Sequence, residues 1–349
     1  MTRHQSEHDI HLPDDVPDPA PAPLPKAGAR GVLLPVAIGS IIGTIFVVVF
    51  VALFHAPSPH DLPIAVVGSG QDSARIAQAL DAAQPGGFAV ETIADEQTAV
   101  DALEHREVYG VYLFDSAELR LAGANGPTVK GLLTGVFTPV AAEAGDELTV
   151  IDAVPTALGD SIGLSTFYAG FGVVLAGFLF GQITYGMAPL LPLRRRLLSI
   201  GLFSVLIGIV VALIAGNVGF DALPGNTAGL ALVIALMAGA VATTTVTIIR
   251  LTGPAGPMIS AVLLLILGNA TGGGTLPVPF LPSWLQWASD VLPVGVGIQA
   301  IKGISYFHGN GLAAGIYVPL IWIAACVAVL VAKDVRANRA VSATGAATR

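Results

Sequence analysis

Long apolar runs separated by short polar stretches make up most of this chain. A helix needs ~20 apolar residues to cross ~30 Å of hydrocarbon, and six runs approach or exceed that length. They are Val32–Phe54, Leu164–Met187, Leu197–Ala215, Thr227–Ile249, Pro254–Ala270 and Leu312–Ala332. The fifth is the shortest and begins at a proline, which a helix tolerates in its first turn. The pattern predicts an α-helical membrane protein with six transmembrane helices.

One long polar stretch, residues 55–163, interrupts this pattern and carries sixteen acidic residues. Within it, short apolar or alternating runs predict strands, and runs with a spacing of three to four residues predict helices. The predicted strands are Pro63–Val67, Phe88–Ile93, Val108–Phe114, Glu118–Ala122 and Leu148–Val154, and the predicted helices are Ser73–Ala83, Glu96–Arg106 and one opened by Asn125-Gly126-Pro127. We therefore expect a small α/β domain inserted between transmembrane helices 1 and 2.

These patterns divide the chain into five parts. Residues 1–30 are rich in proline and predict a disordered tail, and residues 31–54 form the first transmembrane helix. Residues 55–163 form the α/β domain, residues 164–332 a five-helix membrane bundle, and residues 333–349 a second tail. The first apolar run is also compatible with a cleaved signal peptide, but its length and the poor cleavage site after it favour a retained anchor.

Basic residues flank the predicted spans on one side only. Lys26 and Arg30 precede span one, Arg194 to Arg196 separate spans two and three, Arg250 separates spans four and five, and Lys333 follows span six. By the positive-inside rule this side faces the cytoplasm. We expect a multi-pass protein of the plasma membrane with both termini cytoplasmic and residues 55–163 extracytoplasmic.

Composition and charge narrow the classes of function. Hydrophobic residues make up 54% of the chain and charged residues 11%, and the formal net charge is −8. The acidic stretch has only Arg75, Arg106, Arg120 and Lys130 as basic residues, so nucleic acid is not an expected partner. Its charged residues are interpreted as the solvated faces of helices.

Motifs for chemistry are scarce. The chain has no Gly-x-x-x-x-Gly-Lys-Ser/Thr loop, no metal-ligand spacing and one cysteine, Cys326. Gly68-Ser69-Gly70 follows a predicted strand, but the third glycine of a dinucleotide fingerprint is replaced by Ser73, so we interpret it as a tight turn. We expect no enzyme activity, no catalytic residues, no metal site and no cofactor.

The stretch between spans five and six, residues 271–311, is too apolar for an exposed loop and too broken by glycine and proline for a span. We predict that it dips into the outer leaflet as a re-entrant gate, since irregular backbone at that depth requires cover by protein or water. A surface-lying amphipathic loop is the alternative. The candidate gate residues are Asn269, Gly272, Gly273, Gly274, Pro277, Trp284, Trp287 and Pro293, the tryptophans being headgroup anchors.

Polar residues inside the spans favour helix packing over a lined pathway. Thr243, Thr244, Thr245 and Thr247 lie in span four, where hydroxyls usually bond back to their own helix. Gly177-x-x-x-Gly181 in span two has the spacing that lets helices approach closely. This spacing fits either a bundle contact or a dimer face.

Three stretches resemble the Pip/YhgE-type branch of the ABC-2 membrane-protein superfamily, and the resemblance runs from span one to span six. The most specific is a glycine-rich turn followed by prolines, Thr271-Gly272-Gly273-Gly274-Thr275-Leu276-Pro277, then Leu281-Pro282 and Leu292-Pro293. The other two are Val108-Tyr109-Gly110-Val111 with Ala122-Gly123-Ala124-Asn125-Gly126, and Asp160-x-x-Gly163-Leu164-x-x-Phe167-Tyr168.

This resemblance implies a permease-like fold that forms a homodimer around a central pathway in the lipid bilayer. It also implies a separate ATP-binding subunit, which would press on the cytoplasmic loops at Arg194, Arg195, Arg196 and Arg250. The expected function is export of a lipid, drug or polymer with that subunit. The alternative is a cell-envelope receptor or scaffold that does not transport, of the phage-receptor or secretion-accessory type.

Overall fold

The computed structural model of the protein describes residues 28–347 and is mostly helical. The chain divides into two compact units, with the boundary after Ile41. Helix α1, Ala29–Phe54, crosses this boundary. The unit from Ile42 onward contains both a small α/β part and a helical bundle. The predicted tail at residues 1–30 lies almost entirely outside the described residues.

Five helical stretches are long and apolar enough to cross a membrane, which is compatible with a multi-pass membrane protein. They are Gly31–Phe54, Ser165–Met187, Leu193–Ala215, Thr227–Thr271 and Leu312–Ala337. Four of them match predicted spans one, two, three and six. The fourth stretch is 45 residues long and contains both predicted span four and predicted span five.

This fourth stretch is interrupted at Gly253. Helix α7, Thr227–Thr252, ends there with a φ of +62°, a conformation that favours glycine. The chain then folds back, since a Cβ on Gly256 would overlap the Cα of Ile249. It continues as α8 (Gly256–Ser260), a π-helical stretch Ala261–Gly268 and α9 (Asn269–Thr271). The returning part is shorter than the ~20 residues that a span usually needs.

Helix α7 is the centre of the bundle. It packs against α5 (Ser165–Met187), α6 (Leu193–Ala215) and α12 (Leu312–Ala347). A Cβ on Gly181 would lie 2.7 Å from the Cβ of Thr245, so the glycine pair in α5 provides a contact within the bundle. Helix α12 continues beyond residue 332, where the sequence predicted the start of a tail.

The threonines of α7 confirm the prediction of helix packing. The hydroxyl of Thr243 donates to the carbonyl of Gly239 at 2.6 Å, and that of Thr245 donates to Val241 at 2.9 Å. Thr247 bonds in the same way to the Thr243 carbonyl. These hydroxyls donate hydrogen bonds to backbone carbonyls of their own helix, which does not indicate a polar pathway.

The α/β part, residues 55–163, contains a five-stranded mixed sheet. The strands are β1 Leu62–Val67, β2 Phe88–Ile93, β3 Gly110–Leu113, β4 Glu118–Leu121 and β5 Thr149–Asp152. Their order in the sheet is β2-β1-β3-β4-β5. Strand β1 pairs in parallel with β2 and β3, β3 pairs antiparallel with β4, and β4 pairs in parallel with β5. All five predicted strands are present.

Three helices cover the sheet: α2 (Gly70–Ala83), α3 (Glu96–Glu104) and α4 (Pro127–Ala144). Helices α2 and α4 share one hydrophobic core with the strands, and α3 contributes to a second core. The turn before α2 is a capping box, in which the Ser69 side chain and Asp72 satisfy each other's backbone N–H groups. The glycine motif there is therefore a helix start, as the sequence predicted.

Segment 271–311 connects α9 to α12. It begins with the glycine-rich turn, residues 272–274, and contains α10 (Ser283–Val291) and α11 (Pro293–Tyr306). Helix α11 packs against α5, α7 and α12, so this part of the segment belongs to the bundle. Other residues of the segment contact the sheet.

Candidate functional site

The glycine-rich turn lies buried between the bundle and the α/β part. Gly272, Gly273 and Gly274 are all buried. Gly273 has a φ of +73°, so the turn requires a residue without a Cβ at this position. The glycine-rich turn is therefore covered by protein, as irregular backbone near a membrane must be.

The residue that leads into this turn, Asn269, is also buried. Its amide nitrogen donates to the carbonyl of Leu265 at 3.0 Å, while its side-chain oxygen has no hydrogen-bond partner. A buried polar atom without a partner is costly, and the π-helical backbone before it is a form often found at functional sites. Asn269 is the candidate gate residue with an unmet hydrogen bond.

The α/β part and segment 271–311 share their hydrophobic cores. Leu276 and Phe280, with 6% and 3% of their surface exposed, belong to the core formed by the sheet with α2 and α4. Phe307 is fully buried and belongs to the core on α3. In addition, the His60 N–H donates to the carbonyl of Pro279 at 2.7 Å. The α/β part is therefore packed onto the segment rather than joined to it by linkers alone.

The remaining predicted gate residues divide between buried and exposed positions. Pro277 and Pro293 are buried, and Pro293 is the first residue of α11. Trp284 and Trp287 are 73% and 56% exposed on one side of α10, while Leu285 and Ala288 of the same helix are buried. The two tryptophans lie on the outer surface of the structure and do not line the turn.

The sequence predicted that the side chain of Arg106 is solvated on a helix face, and the structure places it in a different environment. Helix α3 ends at Glu104, and Arg106 follows with a φ of +56°. Its guanidinium donates to the side-chain oxygens of Asn310 at 3.1 Å and Gln299 at 3.5 Å. It also lies 5.3 Å from the ring centre of Phe307, in cation–π range. Burial lowers the pKa of Arg106.

Lys302 of α11 is a buried cation near the partly buried Arg106. Only 5% of its surface is exposed, and its ammonium donates to the Gly273 carbonyl over a long 3.4 Å. Burial, helped by the nearby positive charge of Arg106 and opposed by Asp160, lowers its pKa to about 7. Among residues 28–347, no carboxylate lies within ion-pair distance of Lys302 or Arg106.

A small cavity is lined by both Arg106 and Lys302. Its volume is about 10 Å³, the room of about one water molecule. Asn125 contributes a side-chain nitrogen that is buried and has no partner. The cavity is lined by Arg106, Tyr109, Asn125, Gly273, Pro277, Val278, Gln299 and Lys302. Burial raises the pKa of Tyr109, so its hydroxyl stays neutral.

A larger cavity lies on the other side of the turn. It measures about 320 Å³ and its walls are mostly apolar. Phe50 and Phe54 of α1, Phe167 of α5, and Thr275 with Leu276 of segment 271–311 form most of its lining. This volume is in the usual range for a small-molecule site.

The predicted coupling arginines lie at one end of the bundle, here called the arginine end, but they are not equivalent. Arg194 and Arg195 are exposed, whereas Arg196 is buried. Arg196 donates to the carbonyls of Thr184 at 2.6 Å and Ala188 at 2.7 Å. It also stacks 4.0 Å from the ring centre of Tyr185.

Arg250 is likewise engaged within the chain. Its guanidinium forms an ion pair with Asp334, and Lys333 donates to its carbonyl. These contacts join the end of α7 to α12. Of the four predicted coupling residues, only Arg194 and Arg195 are therefore available to a partner.

Sequence reasoning missed Lys302 and misread Arg106. Lys302 is the only lysine or arginine between Arg250 and Lys333, and this isolation in an apolar region is a signal that it has a specific environment. Arg106 gave no such signal, because its partners Gln299 and Asn310 lie 193 and 204 residues away and only the fold brings them together.

The geometry joins three features: a buried glycine-rich turn, a cation-lined small cavity and an apolar larger cavity.

Comparison of the chain with protein-family models, with curated proteins and with solved structures gives no match. The likeness to ABC-2 permeases thus stays a prediction from the motifs in the sequence.

Proposed function

We propose that this protein is an ABC-2-type permease-like membrane protein that moves an amphiphilic molecule outward with a separate ATP-binding subunit. The observation that carries the proposal is the apolar cavity of about 320 Å³ beside the glycine-rich turn. Its aromatic and aliphatic walls suit a lipid or an apolar drug better than a hydrophilic polymer.

The proposed arrangement has six spans. The fourth helical stretch crosses twice, down α7 and back through α8 and α9, with its turn at Gly253. The arginine end then faces the cytoplasm of a plasma-membrane protein, in agreement with the positive-inside rule. The α/β part covers the outer end, and both termini are cytoplasmic.

In this arrangement segment 271–311 is the outer gate and the α/β part is its lid. Leu276 and Phe280 insert into the sheet's core, and this packing would correspond to the closed gate. Opening would withdraw these side chains from that core, at a cost of ~1.5–3 kcal/mol for each large apolar side chain. Energy of that size is available from ATP hydrolysis in a partner, and a homodimer would supply the second half of the pathway.

The test is recovery of the protein from native membranes, with its bound partners identified by mass spectrometry. We expect an ATP-binding subunit to be recovered with the wild type. The double substitution Arg194→Glu with Arg195→Glu should abolish that recovery, because both residues are exposed at the arginine end. Arg196 is left unchanged because its buried contacts stabilise the fold.

The matched control is Arg336→Glu with Arg339→Glu, which changes the same charge on exposed residues of α12 and should retain the subunit. Recovery of cell-envelope proteins without any ATP-binding subunit contradicts export.

That outcome would favour the second candidate, an envelope receptor or scaffold. One observation speaks for it: β2 is an edge strand of the sheet, and most of its residues are at least partly exposed. Unpaired strand edges are common docking sites for an extended segment of another protein.

A further inference from the structure

The cavity of about 10 Å³ between the α/β part and segment 271–311 is lined in part by side chains that can donate hydrogen bonds. We propose that it is a binding site for one small inorganic anion of halide size, such as chloride, held by Lys302, Arg106 and Asn125. The site goes beyond the proposed function, since it does not depend on whether the chain transports anything.

The first support is charge. Lys302 is 5% exposed and has the partly buried Arg106 as a neighbour, so a buried ammonium lies beside a second positive charge. A buried charge is costly unless an opposite charge compensates it. An anion between the two cations supplies that compensation.

The acid that acts on Lys302, Asp160, also accepts hydrogen bonds at the start of α5. One oxygen of Asp160 accepts from the backbone N–H of Leu164 at 3.0 Å and of Ser165 at 3.1 Å. The same oxygen accepts from the Ser165 hydroxyl at 2.8 Å. Asp160 therefore caps the start of α5, and it offsets only one of the two positive charges.

The second support is the set of unused donors. The Lys302 ammonium has three N–H groups and makes one long hydrogen bond, to Gly273. The side-chain nitrogen of Asn125 is buried and makes none, although Asn125 is only 2% exposed. Both side chains line the same cavity. An acceptor placed there would satisfy donors from the α/β part and from α11 together.

Size selects the class of anion. The cavity has room for about one water molecule, so a halide fits with small side-chain movements, whereas sulfate or gluconate does not. Because its ligands come from both sides of the contact, the anion would stabilise the packing of the α/β part on segment 271–311.

The experiment measures the melting temperature of the purified full-length protein in detergent at pH 6. Sodium gluconate is replaced stepwise by sodium chloride at constant ionic strength. We expect a saturable rise of about 2–4 °C, as for any ligand that binds only the folded state. Iodide should act more weakly than chloride because it is too large for the cavity.

Two variants test the assignment of residues. Lys302→Met should lose the chloride response. Asn125→Asp places a tethered carboxylate at the cavity, and it should raise the melting temperature in gluconate and lose the response to chloride. Lys130→Met is the matched control for Lys302→Met, since Lys130 is an exposed lysine of the α/β part. It should respond to chloride as the wild type does.

Three results would overturn the proposal. They are no chloride response in the wild type, an equal response in Asn125→Asp, or a response that grows without saturation from chloride to iodide in every protein. The last pattern is that of weak surface adsorption. If Lys302→Met does not fold, the Asn125→Asp variant and the halide series decide.

Discussion

Arg106 donates a hydrogen bond to the side chain of Asn310 at 3.1 Å and so joins the α/β part to the loop that follows α11. The two residues are far apart in the chain, and the bond is flanked by the buried ring of Phe307. A charged hydrogen bond of this kind fixes one part of the chain on another. Any movement of the α/β part away from segment 271–311 must break it.

Substitution of Arg106 should therefore loosen this contact. We expect Arg106→Met to lower the free energy of unfolding by ~1–3 kcal/mol, because Asn310 and Gln299 lose a charged donor. Hydrogen exchange should become faster in residues 306–311. The measurement is thermal unfolding together with hydrogen exchange, with the exposed Arg75→Met as the control. Equal stability and exchange in both variants would contradict the contact.

The buried lysine predicts a dependence of stability on pH. The pKa of Lys302 is about 7 in the folded chain, below its usual value of 10.5. Between these values the unfolded chain holds a proton that the folded chain has lost, so the free energy of unfolding should rise with pH from about 7 to about 10.5. The charged groups facing Lys302 are Arg106 and Asp160.

Unfolding measured in gluconate from pH 6.5 upward tests this slope. Lys302→Met should remove it, and Lys130→Met should keep it. Chloride should flatten the slope in the wild type, because a bound anion favours the protonated lysine. A Lys302→Met variant with the wild-type slope would show that another group is responsible.

The three adjacent arginines should differ in their effect on stability. Arg196→Gln removes two short hydrogen bonds to the end of α5 and the stacking on Tyr185, so we expect a loss of ~2–4 kcal/mol. Arg194→Gln should change stability by less than ~0.5 kcal/mol, because its side chain is exposed. Thermal unfolding of the two variants, which carry the same charge change, provides the comparison. Similar melting temperatures would contradict the buried role of Arg196.

Much of the architecture follows from local patterns. The five strands and the main helices were predictable because apolar periodicity reports which side of an element is buried. The exception is the stretch Thr227–Thr271, where a single glycine turn, Gly253, separates two apolar runs and the second is short. Length and composition alone leave the number of spans there undecided.

The candidate site was predictable only in part. The glycine-rich turn was visible because glycine and proline disrupt an otherwise continuous apolar region. The roles of Lys302, Arg106 and Asn125 were not, since they arise where three distant segments meet. The split between exposed Arg195 and buried Arg196 was hidden for another reason: adjacent positions on a helix face different surroundings, and the sequence did not show which face packs on the end of α5.

The proposed topology places the α/β part and the arginine end on opposite sides of the plasma membrane, with the α/β part outside. Labelling of single cysteines on intact cells by a membrane-impermeant maleimide tests it, against a Cys326→Ala background that removes the buried native thiol. We predict that Ser116→Cys is labelled on intact cells, while Arg195→Cys and Ala255→Cys are labelled only after the membrane is permeabilised. Labelling of Arg195→Cys or Ala255→Cys on intact cells, or protection of Ser116→Cys, would contradict the account.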